Sequence, residues 1–195
     1  YRRAGLDIDS EQVITSASLL DDYFRNRDLA GAPTVVLGPE DSRSYVRSAG
    51  GTIVEPGRDF RVLVLADESG FDFVPTIDQV LTTLLRRFDA GRQTHLVVPN
   101  PDLIYQRTER AFGFTSGAVA VLLEAVLERR YPEDRPRFER LGKPHAPMYR
   151  TGLDRLGTDE AAVLGDQLET DIRGAVSAGL DSVLVTTGLD SGDAD

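Results

Sequence analysis

Short apolar runs alternate with stretches of helical spacing along this chain, and that alternation restricts the fold more than any other feature. Thr34-Val35-Val36-Leu37-Gly38, Arg61-Val62-Leu63-Val64-Leu65-Ala66 and Thr94-His95-Leu96-Val97-Val98 read as buried strands. Ala161-Ala162-Val163-Leu164-Gly165 and Ser182-Val183-Leu184-Val185-Thr186 read as a fourth and a fifth. Between them, Ile77, Val80, Leu81, Leu84, Leu85 and Phe88 recur at the three-and-four spacing of an amphipathic helix, as do Val119, Leu122, Leu123, Val126 and Leu127. Ile172, Ala175, Val176 and Ala178-Gly179 predict a further helix closed by glycine. Ser48-Ala49-Gly50-Gly51-Thr52 reads as a turn from a helix into a strand. Parallel strands need crossover helices, so the repetition predicts an α/β protein with mostly parallel sheets.

The 195 residues suit one large domain or two small ones, and the prolines and charges of 132–136 mark a boundary between domains. The absence of cysteine excludes disulfides, thiolate zinc sites and cysteine nucleophiles within these residues. A net charge of −10, with the basic residues scattered among acids, argues against nucleic acid as a partner. An acidic protein that binds a phosphorylated ligand needs a local cation, which points to a metal. No apolar run approaches the ~20 residues that span a bilayer, and no secretion signal opens the sequence, so no membrane partner and a cytoplasmic location are expected. Tyr1-Arg2-Arg3-Ala4-Gly5-Leu6 reads as the tail of a helix, and Ser191-Gly192-Asp193-Ala194-Asp195 as a frayed end.

Val163-Leu164-Gly165-Asp166-Gln167-Leu168-Glu169-Thr170-Asp171-Ile172 carries the most chemistry. A strand ends at Gly165, an acidic loop follows, and Thr170 and Asp171 open a helix. Ligands of open α/β sheets bind beyond the carboxyl ends of strands, where Asp166 and Asp171 lie. Mg²⁺ takes one or two carboxylates and keeps waters for the rest, a role that suits Asp166. Asp171 could hold a metal-bound water or orient the loop; the plain alternative is a helix N-cap. Upstream, Leu141-Gly142-Lys143-Pro144-His145 holds Lys143 between glycine and proline, ahead of a helix with Tyr149 and Leu153 on its inner face. A lysine so placed can offer a point charge to a phosphate or a carboxylate; an exposed loop lysine is the alternative.

Gly142-Lys143-Pro144, then Gly165 to Ile172, then Ala178-Gly179, closely resembles the third and fourth motifs of haloacid-dehalogenase (HAD)-like phosphatases of the NagD or para-nitrophenyl-phosphatase type. Gln12-Val13-Ile14-Thr15-Ser16-Ala17 is similar to the segment before the cap in that subfamily, Asn100-Pro101-Asp102 to its cap loop, and Val183 to Leu189 to its closing strand and turn. The resemblance implies a Rossmann-like core, incomplete at its N-terminus, over 1–33 and 138–195, with an α/β cap inserted over 34–137. It implies Mg²⁺-dependent hydrolysis of a small phosphate monoester by way of an aspartyl-phosphate. Lys143 matches the phosphate-binding lysine, Asp166 the Mg²⁺ ligand and Asp171 the supporting acid. Asn100 and Asp102 match the substrate-facing cap loop. The implied partners are a small phosphorylated metabolite and a second copy of the chain, joined through the cap.

The family's Asp-x-Asp-Gly-Thr nucleophile segment is not in the sequence. Leu6-Asp7-Ile8-Asp9-Ser10 has the spacing, but no strand precedes it and no Gly-Thr follows, so Asp7 and Asp9 read as surface or cap residues. The serine or threonine loop of the second motif is missing too. Both motifs are expected upstream of Tyr1, and without them the 195 residues alone would be inactive. The alternative is a non-catalytic relative that binds a phosphorylated ligand or a protein partner. A receiver domain, which also gathers acids at strand ends, fits the large inserted region poorly. Pro99 stands where the family usually has threonine. His95 reads as a packed or edge strand residue and His145 as exposed or facing the site. The loop Asp67-Glu68-Ser69-Gly70-Phe71-Asp72 reads as solvated, with Phe71 and Phe73 packing the cap. No nucleophile elbow, Walker A or dinucleotide fingerprint occurs.

Overall fold

The computed structural model describes residues 5, 7–108 and 110–186. The expected helix tail at 1–6 (Gly5 apart), the closing turn at 187–189 and the frayed tail at 191–195 lie outside the described residues. The chain divides into two compact units, Leu20–Arg140 and Tyr1–Leu19 with Leu141–Asp195. The sequence expectation placed the joins at 33/34 and 137/138. The segment Leu20–Asn26 is a helix, α1, whose Leu20, Tyr23 and Phe24 are buried.

In Leu20–Arg140 the expected alternation is realised as a parallel sheet. Its strands are β1 (Pro33–Leu37), β2 (Thr52–Ile53), β3 (Val62–Leu65), β4 (His95–Val98) and, later in the chain, β7 (Glu139–Arg140). The order is β2-β1-β3-β4-β7 and every pairing is parallel. Between the strands run α2 (Glu40–Ser48), α3 (Phe73–Asp89) and α4 (Ser116–Arg130). Both faces of β1, β3 and β4 are covered, which is why these strands are continuous apolar runs rather than alternating ones. Val35, Leu37, Leu63, Leu65, Leu96 and Val98 form one core with Ile77, Val80 and Leu84 of α3 and Val119, Leu123 and Leu127 of α4. The intervening Val36, Val64 and Val97 are buried too, and they point the opposite way by strand geometry. Each fully buried aliphatic side chain contributes about 1.5–3 kcal/mol. Buried Glu124 ties α4 to β7: it accepts from the Phe138 N–H at 2.7 Å and from Arg140 at 2.9 and 3.0 Å.

β2 begins where the turn at 48–52 leads into a strand, as expected, but three strands are not read from the sequence. β7 has two residues, too short for a periodicity. β5 (Ile104–Thr108) and β6 (Ala111–Phe114) form an antiparallel hairpin whose β5 is exposed throughout, so no apolar run marks it. Phe71 and Phe73 stack on each other and pack against the core, as expected.

The other unit holds α5 (Ala146–Leu156), β8 (Ala162–Gly165), a π-helical turn at Leu168–Ile172, α6 (Arg173–Ser177) and β9 (Asp181–Leu184). β8 and β9 pair in parallel, so the π turn and α6 form their crossover. Arg155 donates to the carbonyls of Glu11 and Val13, which ties the N-terminal segment to α5. Here one expectation fails. β8 and β9 were read as buried strands, yet Leu164 is 70% exposed and Val183 52%. Their apolar composition suits a covered sheet, whereas the sheet among the described residues has only these two strands. Among the described residues, no helix is long and apolar enough to cross a membrane.

Candidate active site

The site residues of the C-terminal unit gather at the carboxyl end of β8. The chain leaves the strand at Gly165, passes Asp166 and Gln167, and enters the π turn, which carries Asp171 back toward Gly165. A side chain at Gly165 would collide with Cβ and the carboxylate of Asp171, so glycine is required for this return. Asp171 is 5% exposed. Its Oδ1 lies 2.6 Å from Nζ of Lys143, and its Oδ2 accepts from the Gln167 N–H at 3.3 Å. Asp171 is thus not a helix N-cap. Its carboxylate turns back onto the loop, and both oxygens are engaged.

Lys143 reaches Asp171 from the turn before α5. That turn is closed by the His145 N–H donating to the Gly142 carbonyl at 3.0 Å, and the Lys143–Pro144 peptide is cis. His145 then takes the N-cap position of α5 and is half-buried. The Lys143 side chain remains 45% exposed, so its ammonium meets solvent on one side and a buried carboxylate on the other.

Tyr149, on the inner face of α5 as expected, fixes the π turn from below. Its hydroxyl lies 3.0 Å from the Thr170 carbonyl and 3.2 Å from that of Asp171, and its single proton serves that pair. Burial, with the Asp171 charge second, raises the Tyr149 pKa and keeps the hydroxyl a donor. Gly174 lies so close under the Tyr149 ring that any side chain there would strike it. Thr170 donates to the Gln167 side-chain oxygen at 2.9 Å. The roles of Tyr149, Gln167 and Gly174 were not read from the sequence. The one available signal was a tyrosine on a buried helix face, since a buried hydroxyl needs an acceptor.

Asp166 differs from Asp171. It is half-buried beyond the strand end and makes no hydrogen bond or ion pair among the described residues. No group of three or more His, Cys, Asp or Glu that could hold a metal occurs among the described residues. Asn100 and Asp102 belong to the other unit. There the Asn100 side chain accepts from the Asp102 N–H at 3.2 Å, and Ser116 and Thr115 at the start of α4 donate to the Asn100 and Asp102 carbonyls. Asp7 and Asp9 are exposed, as surface residues should be.

Residues 140–195, which include Lys143, Asp166 and Asp171, match the family model described as HAD-hydrolase-like. The chain is 25% identical over 193 residues to the ribonucleotide monophosphatase NagD of Escherichia coli, covering 98% of this chain and 68% of that protein. Over residues 140–195 the chain is thus similar to HAD-like hydrolases, and over nearly all of its length to a phosphatase of the NagD type. A dihydroxyacetone phosphatase of Corynebacterium glutamicum is 26% identical over 190 residues. That match covers 96% of this chain, which spans 62% of the relative's length. A crystal structure of a glycerol phosphate phosphatase from Mycobacterium tuberculosis in complex with magnesium has the same fold, with a TM-score of 0.75 at 24% identity. It covers 97% of this chain and 53% of that one. The likeness to these phosphatases extends through both units, beyond the residues that the family model matches.

Proposed function

We propose that the chain supplies part of the active site of a Mg²⁺-dependent phosphatase that hydrolyses a small phosphate monoester through an aspartyl-phosphate. The observation that carries the reading is the pairing at the end of β8. Buried Asp171 holds the Lys143 ammonium at 2.6 Å, while the carboxylate of Asp166 beside it is unengaged among the described residues. The donor set fits the metal in part. Mg²⁺ takes one or two carboxylates with water completing the shell, so Asp166 is assigned as a ligand. Asp171, with both oxygens committed, supports the loop and orients Lys143. When bound, the metal would offset negative charge on the phosphoryl oxygens. Lys143 would bind a phosphoryl oxygen with its exposed side, and Asp171 would keep that ammonium in place.

The nucleophilic aspartate and its acid–base partner are assigned to a segment outside the 195 residues. Two findings support this. The phosphatases reported above are longer than the chain, and the apolar side chains of β8 and β9 are exposed as if further elements packed over their faces. The loop of Asn100 and Asp102, held on α4, is assigned to substrate selection from the cap, the role proposed for Leu20–Arg140.

The test is a phosphatase assay on the product of the complete reading frame, with and without Mg²⁺, over a set of small phosphate monoesters. Mg²⁺-dependent release of phosphate, lowered at least a hundredfold by Asp166→Asn, is the expected result. A complete product with an Asp-x-Asp segment but no Mg²⁺-dependent activity would leave the non-catalytic binder as the reading.

A further inference from the structure

A second charged site lies in Leu20–Arg140, where α3 ends and strands β3 and β4 begin. There a cleft of about 280 Å³ is lined by Arg86, Arg87, Arg92, Asp59 and Thr83, among others. Three arginines and one acid meet in it, in a chain whose net charge is −10. Arg87 is the anchor, with a side chain only 8% exposed. Its guanidinium is held by Thr94 Oγ1 at 2.8 Å, Asp59 Oδ1 at 2.7 Å and the Gln93 carbonyl at 2.8 Å. Those acceptors use three of its five N–H groups. Arg92 shares the same carboxylate through Oδ2 at 3.2 Å.

A purely structural role accounts for only part of this. Arginines in a last turn often serve the helix carbonyls. Here Arg86 does so at long range, donating to the Thr82 carbonyl at 3.4 Å and to Thr83 Oγ1 at 3.3 Å, while the Ala90, Gly91 and Arg92 backbone N–H groups already satisfy the carbonyls of Arg86, Phe88 and Arg87. The helix end adds roughly half a negative charge. With the one Asp59 carboxylate, that still leaves the three guanidiniums in excess. Asp59 is itself held below the usual carboxylate range, chiefly by the Arg87 hydrogen bond, so it remains a fixed anion. A preorganised, net-positive cleft suits an oxyanion, because guanidinium forks match phosphate oxygens. Its volume falls just under the ~300–1,000 Å³ of drug-sized ligand sites, which points to a small anion.

We propose that this cleft binds a small phosphate-class dianion, at a site separate from Lys143 and Asp166. The anion is either free phosphate or the phosphate group of a small metabolite. The test is calorimetric titration, in chloride buffer, of inorganic phosphate and separately of ribose 5-phosphate into the protein carrying Lys143→Ala. That change removes the other phosphate-binding cation, so the outcome does not depend on the proposed catalytic reading. Saturable binding of one equivalent is expected, weakened at least tenfold when Arg86→Ala and Arg92→Ala are added. Both arginines sit at the surface, and circular dichroism confirms the fold. Binding of phosphate alone identifies free phosphate, and tighter binding of the ester identifies a metabolite headgroup. No binding in the Lys143→Ala protein, or binding that survives loss of both arginines, overturns the proposal.

Discussion

Asp171 shows how one carboxylate organises a loop. Its burial is tolerated because Lys143 and the Gln167 N–H engage both oxygens. Lys143→Met should therefore leave a buried carboxylate half-satisfied. The Lys143 side chain is 45% exposed, so solvent screening reduces the loss, and a destabilisation of about 1–3 kcal/mol is expected by urea denaturation. His95 makes a different test. Its Nε2 is buried without a hydrogen-bond partner among the described residues, beside the Tyr23 ring. Burial lowers its pKa first, and the nearby Arg61 and Arg27 charges lower it further, against an opposing effect of Glu139. The folded protein therefore holds the His95 proton less readily than the unfolded chain. Stability should be full above the unfolded value of about 6.5 and fall as the pH drops through it, levelling off below the folded value. His95→Gln should flatten that part of a stability profile measured from pH 8 to 5.

At the scale of elements, the π turn between β8 and α6 depends on contacts that come from α5. Tyr149→Phe removes the one hydroxyl that serves the Thr170 and Asp171 carbonyls and should cost about 1 kcal/mol. Gly174→Ala drives a methyl group into the Tyr149 ring and hydroxyl, and about 1–3 kcal/mol of overpacking is expected. The two changes share one contact, so the double variant should be less unstable than the sum, as read by a double-mutant cycle. An additive cycle would show that the hydroxyl is not what Gly174 accommodates.

For the whole molecule, the two units differ in completeness. Leu20–Arg140 has a five-stranded parallel sheet with helices about it and a continuous buried core. Expressed alone, it should melt cooperatively by circular dichroism, and a broad, non-cooperative melt would refute this. A two-stranded sheet is marginal by itself, and β8–β9 exposes the apolar side chains that its sequence marks for burial. The 195-residue chain should accordingly bind a hydrophobic dye through the unit with Leu164 and Val183, and Leu164→Lys should reduce that signal.

The sequence by itself determined the α/β class, the position of β1, β3, β4, β8 and β9 to within a residue or two, and the helices α3, α4 and α5. These follow from local periodicity, which burial on both faces of a parallel sheet imposes directly on composition. It also marked Lys143, Asp166 and Asp171, because a strand-ending glycine followed by acids, and a lysine between glycine and proline, are local patterns. The two-residue strand β7 and the exposed hairpin were not legible, since pairing defines them and no run of apolar residues does, whereas β2 was marked only by the glycine turn that leads into it. Nor was the division of labour between the two acids. Asp171 is committed to Lys143, 28 residues away, while Asp166 is left unengaged among the described residues. Only the tertiary structure decides which carboxylate is buried against a cation and which is left unengaged, because that choice lies in contacts between segments that the order of residues does not place side by side.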